Sequence, residues 1–338
     1  MTHRPHTVLA MSEDTRTAVL PPHLLRRLTE VADLDPALLV VDFAAERPGA
    51  RDALGRAEVL FTGWGCPRLD SRALAAMPRL RAVVHAAGSV KHHVTESCWQ
   101  RGIVVSTAAA ANALPVAEYT LAAILFANKR VLHSAHAYRA VRTRVPLLDR
   151  YPDVGNYRRT VGIVGASRIG RRVIELLAPF DLRVLVHDPY LDADGAAALG
   201  VERVGLDELV ERSDVVSLHA PALPDTRKLF DAPRLARMRT GATLVNTARG
   251  SLVDTEALTE ECRTGRLHAV LDHTDPEVLP ADSPLYRLPN VLLTPHVAGS
   301  LGGELHRMAE SAVDELERYA RGEPLRHRID PRTLARSA

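Results

Sequence analysis

The stretch Thr160-Val161-Gly162-Ile163-Val164-Gly165-Ala166-Ser167-Arg168-Ile169-Gly170 reads as an apolar strand, a tight turn and the start of a helix. Its chemistry is anion binding. Gly165 permits the turn, Gly170 lets helix and strand pack closely, and the first helical amides at Arg168 and Ile169 offer partial positive charge to a pyrophosphate. The pattern G-x-G-x-x-G has glycine in the middle, where Ser167 stands here. A serine Cβ pushes a bound pyrophosphate slightly outward, although its hydroxyl can donate to a phosphate oxygen. A second apolar run, Leu185-Val186-His187, ends on Asp188. A carboxylate there is placed to meet the adenosine ribose diol and to repel a 2′-phosphate. Taken alone, Asp188-Pro189 could simply begin a turn. With strand, glycines and acid in register, the residues point to NAD rather than NADP.

Chemistry-bearing residues need elements that position them. Residues 161–164, 183–187, 215–219, 242–246, 269–271 and 291–294 have the brief, aliphatic character of buried strands, and six at such intervals suit a doubly wound dinucleotide-binding domain. An earlier series, 38–43, 59–62, 82–85 and 103–106, alternates with amphipathic stretches at 50–56 and 71–76, the latter opened by an Asp70-Ser71 cap. Strand–helix alternation implies parallel sheets covered on both faces. The charged, amphipathic helix at 303–321 follows the last strand and is expected to pack back on the first domain.

At 338 residues, 46% of them apolar, the chain has material for two cores. Its net charge of +2 is spread along the chain, without the basic face or arm of a nucleic-acid binder. Cys66, Cys98 and Cys262 form no C-x-x-C pair, which argues against a disulfide framework or zinc site and fits a reducing, cytoplasmic setting. Residues 8–11 are only a short apolar run, without a signal-peptide pattern. The most apolar helix, 116–127, is too short to span a bilayer and contains Glu118, so it is expected in a core or subunit interface, with no membrane partner.

Three segments stand at ends of the later strands, where ligands of such sheets bind. They are Asn246-Thr247-Ala248-Arg249-Gly250-Ser251-Leu252-Val253-Asp254, Leu271-Asp272-His273-Thr274-Asp275-Pro276-Glu277 and Leu293-Thr294-Pro295-His296-Val297-Ala298-Gly299. Together with the glycine turn and Val116-Ala117-Glu118, they resemble the D-isomer-specific 2-hydroxyacid dehydrogenase family, over about residues 79–299. That resemblance implies hydride transfer between NAD and a small 2-oxo or 2-hydroxy acid. Arg249 matches the family arginine, whose planar fork can hold a carboxylate and polarise the adjacent carbonyl. His296 matches the general acid/base, and Glu277 the carboxylate that orients this imidazole and stabilises its protonated form for ketone reduction.

By the same resemblance Asp272 and the Thr247 carbonyl contact the nicotinamide carboxamide, and His219-Ala220-Pro221 lies on the nicotinamide side. The loop Ala87-Gly88-Ser89-Val90 matches the place where backbone N–H groups grip the substrate carboxylate. Departures are Ser89 and Lys91 in that loop, and His273 where the family often has an aliphatic residue. Lys91 and Trp64 raise the prospect of a substrate with an extra anionic group, against the plainer reading that Lys91 points to solvent. Asn112 precedes a long helical run, 116–138, and is expected to face the cleft.

The expected architecture is two doubly wound parallel α/β domains with a cleft between them. Residues 1–108 plus 297–338 would form a discontinuous, flavodoxin-like substrate domain, and 109–296 the Rossmann NAD-binding domain. A homodimer through 116–127 is implied by the family. Two other functions share this residue set: a same-fold dehydrogenase acting on a phosphorus oxyacid or phosphorylated acid, and a NAD(H)-sensing, corepressor-like binding protein. No metal is expected.

Overall fold

The computed structural model describes residues 3–44, 49–146, 149, 151 and 154–334. It divides into two compact units, Met1–Asn112 with Ser300–Ala335, and Ala113–Gly299. The chain therefore leaves the first unit after 112 rather than 108, and re-enters it at 300 rather than 297. Residues 1–2, 45–48 and 335–338 of the expected first domain lie outside the described residues.

The first unit holds β1 (Thr7–Ala10), β2 (Leu39–Val40), β3 (Val59–Thr62), β4 (Ala82–His85) and β5 (Val104–Thr107). They form one parallel sheet in the order β2-β1-β3-β4-β5, the flavodoxin-like arrangement. Side-chain alternation builds a core on each face. Val8, Ala10, Leu60, Val83 and Val105 point one way, and Leu9, Val59, Phe61 and Val84 the other. The helix Glu304–Ala320 closes the second face with Ala309, Ala312, Val313 and Leu316, whose spacing puts them on one stripe.

Sequence reading passed over β1 as a short apolar run, yet it lies within the sheet with partners on both sides. All four of its residues are buried, so no polar alternation marks it. The expected strand at 38–43 shrinks to Leu39–Val40, and the one at 103–106 shifts by a residue. Two unexpected helices follow β1: Glu13–Val19, capped by the Ser12 side chain on the Thr15 N–H, and Pro22–Val31, which buries Leu24 and Leu28.

The second unit carries the six expected strands, each within one residue of its anticipated ends. They are β6 (Thr160–Val164), β7 (Arg183–His187), β9 (Val215–Leu218), β10 (Thr243–Asn246), β11 (His268–Leu271) and β12 (Val291–Leu293). A seventh, the two-residue β8 (Glu202–Arg203), adds an exposed edge. The order β12-β11-β10-β9-β6-β7-β8 is doubly wound, with its reversal between β6 and β9. Val161, Ile163, Val215, Val245 and Val270 fill one face, and Leu185, Val216, Leu244, Ala269 and Leu271 the other.

The helical run at 116–138 is two helices, not one. Ala109–Asn128 begins earlier than expected and carries Pro115 inside it, and Val131–Val141 follows. Between them Arg130 adopts φ 53°, left-handed, and donates to the Gly241 carbonyl. By length and composition the 20-residue helix could cross a membrane, contrary to the shorter segment expected. Here Ala117, Ala123 and Ile124 are buried against Val161, Ile163 and Val173, as in a core helix.

Candidate active site

The glycine turn sits where the sheet order reverses. Gly165 has φ +99°, its N–H donates to His187 O at 2.8 Å, and a Cβ on it would meet Ala220 N at 2.8 Å. Only glycine fits such a turn without strain. A Cβ on Gly170 would lie 2.1 Å from Gly165 O, so helix and strand pack at backbone contact. Ser167 caps the helix Arg168–Leu177: its Oγ accepts from Gly170 N–H at 3.3 Å. The hydroxyl proton stays available, and the Arg168 and Ile169 amides, being in the first turn, have no intrahelical acceptor. Asp188 clamps the turn to β7, accepting from Ala166 N–H at 2.7 Å and from Tyr190 N–H at 2.8 Å. Each oxygen keeps a lone pair for a ribose hydroxyl. The residues thus fit a dinucleotide.

Ser167→Gly removes an N-cap that glycine replaces at a cost of only a few tenths of a kcal/mol, about 0.3. The melting temperature should fall slightly while NAD affinity holds or tightens, as calorimetric titration would show. Loss of NAD binding would make the hydroxyl a needed phosphate contact.

His219 lies beneath this turn rather than at an open surface. Its N–H donates to Val164 O at 2.7 Å, and its Nε2 pairs with Ser217 Oγ at 2.9 Å. Burial pushes its pKa down to about 3, so the ring is a neutral packing element. Pro221 is half-buried just beyond it.

The loops after β10, β11 and β12 bring together the side chains singled out from the sequence. Arg249 is half-buried, and burial lowers its pKa, with Glu277 opposing. Among the described residues its guanidinium makes one hydrogen bond, from Nη1 to Ala248 O at 2.6 Å, and has no carboxylate within ion-pair distance. A desolvated cation without a carboxylate is an anion site in waiting. Gly250 lets this turn approach the next: a Cβ there would lie 2.0 Å from Thr274 C and O. Asn246, which the sequence reading did not single out, ties the turns together. It donates to Arg249 O at 2.9 Å and His273 O at 3.4 Å and accepts from Ala248 N–H at 3.1 Å.

His296 Nδ1 lies 2.7 Å from Glu277 Oε1, with the two side chains 52% and 67% exposed. The carboxylate can only accept, so Nδ1 carries the proton and Nε2 is left for another partner. That hydrogen bond is the main cause holding the Glu277 carboxyl below its ordinary range. His296 itself has φ 56°, a strained conformation for a non-glycine, and its N–H donates to Thr294 O and Asp272 O. The His273 ring packs against it at 3.8 Å between centroids. Burial, then the neighbouring His296 and Arg249, push His273 down to about 4.

Asp272 was expected at the nicotinamide. The structure engages its buried carboxylate with three donors: Thr294 Oγ1 at 2.6 Å, Val297 N–H at 2.8 Å and Ala298 N–H at 2.9 Å. Since Thr294 gives its proton to Asp272, the Tyr119 hydroxyl 2.8 Å away must donate to Thr294. The loop bearing His296 is thereby tied to β11 and to the helix Ala109–Asn128. Asp272→Ala strands these donors, and the expected cost is about 3 kcal/mol or more. A chemical-denaturation midpoint equal to wild type would contradict this assignment. Thr247, also buried, bonds Thr120 through its Oγ1 at 2.9 Å, which fixes the backbone whose carbonyl the sequence reading singled out.

In the first unit, the start of the loop after β4 is tied to the end of β5: the His85 and Ala87 carbonyls both accept the Ala108 N–H at 3.0 Å. Val90 puts its side chain in the core, leaving only its backbone for a ligand. Ser89 Oγ accepts from Lys91 N–H at 3.4 Å. Among the described residues nothing engages the N–H groups of Gly88, Ser89 and Val90. Asn112 accepts from Ser300 N–H at 2.9 Å, joining the two segments of the unit. Lys91 and Trp64 are exposed.

A doubly wound sheet with this glycine turn and acid defines a nicotinamide-dinucleotide-binding protein. Residues 121–298 match the family model for the NAD-binding domain of D-isomer-specific 2-hydroxyacid dehydrogenases, so the chain belongs to that family and its cofactor is NAD. Among curated proteins it is 33% identical over 256 residues to the D-3-phosphoglycerate dehydrogenase of Mycobacterium leprae, covering 75% of this chain. The chain spans about half the length of that relative, 48%. It is 35% identical over 259 residues to the glyoxylate reductase of Korarchaeum cryptofilum, covering 75% of this chain and 77% of the relative. Among solved structures it resembles D-lactate dehydrogenase from Aquifex aeolicus complexed with NAD and lactic acid. That likeness has a TM-score of 0.70 at 26% identity, and covers 94% of this chain and 96% of the other.

Proposed function

We propose that this chain interconverts a 2-oxo acid and the corresponding D-2-hydroxy acid. The observation that carries the reading is Arg249, a half-buried cation with no carboxylate partner among the described residues, on a loop beside those of the His296–Glu277 pair. Arg249 holds the substrate carboxylate through its planar fork and polarises the neighbouring carbonyl. His296, oriented through Nδ1 by Glu277, turns Nε2 to the substrate oxygen. Protonated, it donates to the developing alkoxide; neutral, it takes the proton of the hydroxyl as the acid is oxidised. NAD, when bound, supplies or accepts the hydride. The Gly165–Gly170 turn with Ser167, Arg168 and Ile169 holds its pyrophosphate, and Asp188 its ribose diol. Thr247, Asp272, His219 and Pro221 shape the nicotinamide side, Asp272 acting through the loop it anchors. In the first unit, the amides of Ser89 and Val90, unengaged among the described residues, are suited to donate to a carboxylate.

The same reading includes a homodimer. Edge strand β12 and the helix Ala109–Asn128 border an apolar groove of about 220 Å³ lined by Tyr119, Phe126, Leu132 and Leu292. Phe126 is more than half exposed there, an expensive residue to leave in water. The three free thiols suit a reducing compartment, and we place the protein in the cytoplasm.

The test is NADH consumption with a panel of 2-oxo acids, phosphorylated ones included, with chiral analysis of the product. Turnover to the D-isomer is expected for at least one acid. Tight NADH binding with no turnover across the panel would sink the reading and favour a sensor of the cofactor.

A further inference from the structure

His273 and Glu277 follow β11 and His296 follows β12, so three metal-ligating side chains leave the carboxyl ends of two neighbouring strands. One ligand atom from each lies within 4.8 Å of the other two, and no other group of three does so among the described residues. The imidazoles of His273 and His296 are already packed together, and His296 Nδ1 lies 2.7 Å from Glu277 Oε1. Ligands around tetrahedral Zn²⁺, at its usual ~2.0–2.2 Å bond lengths, sit roughly 3.3 Å apart. The Glu277–His296 pair must open by roughly half an ångström to that spacing. Both side chains are exposed enough to do so by rotation. Backbone anchors hold the ligands near this geometry: Asn246 donates to His273 O, and Asp272 accepts from Val297 and Ala298 beside His296.

We infer that His273, Glu277 and His296 form a binding site for a divalent transition ion of the zinc type. Two imidazoles and one carboxylate suit such borderline ions, and disfavour Mg²⁺ and Ca²⁺, which take oxygen. The ion replaces the proton that Nδ1 shares with Oε1: the N–H bond breaks, a metal–nitrogen bond forms, and the proton passes to solvent. Three protein ligands leave a position for water. With the ion on Nδ1 the ring keeps its Nε2 proton and no longer cycles between imidazolium and neutral imidazole, so the ion acts as an inhibitor. Binding depends only on these side chains; the inhibition rests on the proposed function.

The probe is Co²⁺, titrated into the full chain without cofactor and followed by its visible d–d absorption, then displaced by Zn²⁺. One saturable ion per chain is expected. Glu277→Gln, at an exposed position, should weaken binding about tenfold or more, and His273→Val likewise. No saturable absorption in the wild type, or unchanged affinity in both variants, overturns the site. In parallel, Zn²⁺ should inhibit NADH-dependent turnover at the concentrations that displace Co²⁺. Full turnover with the ion bound overturns the inhibitory role while leaving the site itself standing.

Discussion

Replacing His296 with alanine should lower kcat for 2-oxo acid reduction by about 10²–10⁴-fold, the usual contribution of a positioned general acid. The dissociation constant of NADH should not change. The expectation follows from the structure around the ring: Glu277 fixes the tautomer through Nδ1, and Asp272 fixes the loop. The strained φ of 56° marks a conformation that the surroundings impose. Because the side chain is half exposed, its loss should leave the melting temperature close to wild type, so a fall in kcat cannot be blamed on unfolding. Glu277→Gln should give a smaller loss, since an amide oxygen can still accept from Nδ1 but brings no charge. Steady-state kinetics alongside thermal melts check both; wild-type kcat in the alanine variant would remove His296 from the mechanism.

Arg249 should show the second large effect, with a different signature. Two charge-assisted hydrogen bonds to a carboxylate are worth about 3–6 kcal/mol together, so Arg249→Ala should cost about 10²–10⁴ in kcat/KM. Arg249→Lys keeps the charge but loses the planar fork, and should recover only part of that loss. Stability should move little or even rise. The guanidinium is desolvated, makes one hydrogen bond, to Ala248 O, and has no ion-pair partner among the described residues. A catalytic loss without a stability loss is the mark of a group held ready for a ligand. An Arg249→Ala protein that melts several degrees lower with unchanged kcat/KM would make this arginine structural instead.

How much of this was legible in the sequence depended on whether a residue's task was local. The second sheet was readable almost to the residue, because β6, β7 and β9 to β12 are aliphatic runs bounded by polar or glycine residues. β1 was missed for the opposite reason: Thr7–Ala10 is only four residues, buried throughout, and nothing in its pattern separates it from an isolated apolar run. The break at Arg130 was invisible because it rests on a distant carbonyl, that of Gly241. Arg249, Glu277 and His296 could be named from motif order. Their supports could not: Asn246 and Tyr119 act through contacts between loops far apart in sequence. Asp272 was named for the cofactor side, yet its carboxylate holds the His296 loop. The His273–His296 packing is likewise a product of the fold, which closes two loops onto each other.

The most direct test of the central claim is hydride transfer itself. The wild-type protein would be given NADH deuterated at the transferable nicotinamide position together with the best acid of the panel, and the product analysed by mass and on a chiral column. One deuterium at C2 of a D-2-hydroxy acid, formed about 10²–10⁴-fold more slowly with His296→Ala, is the result predicted. An unlabelled product, or one of L configuration, would contradict the account.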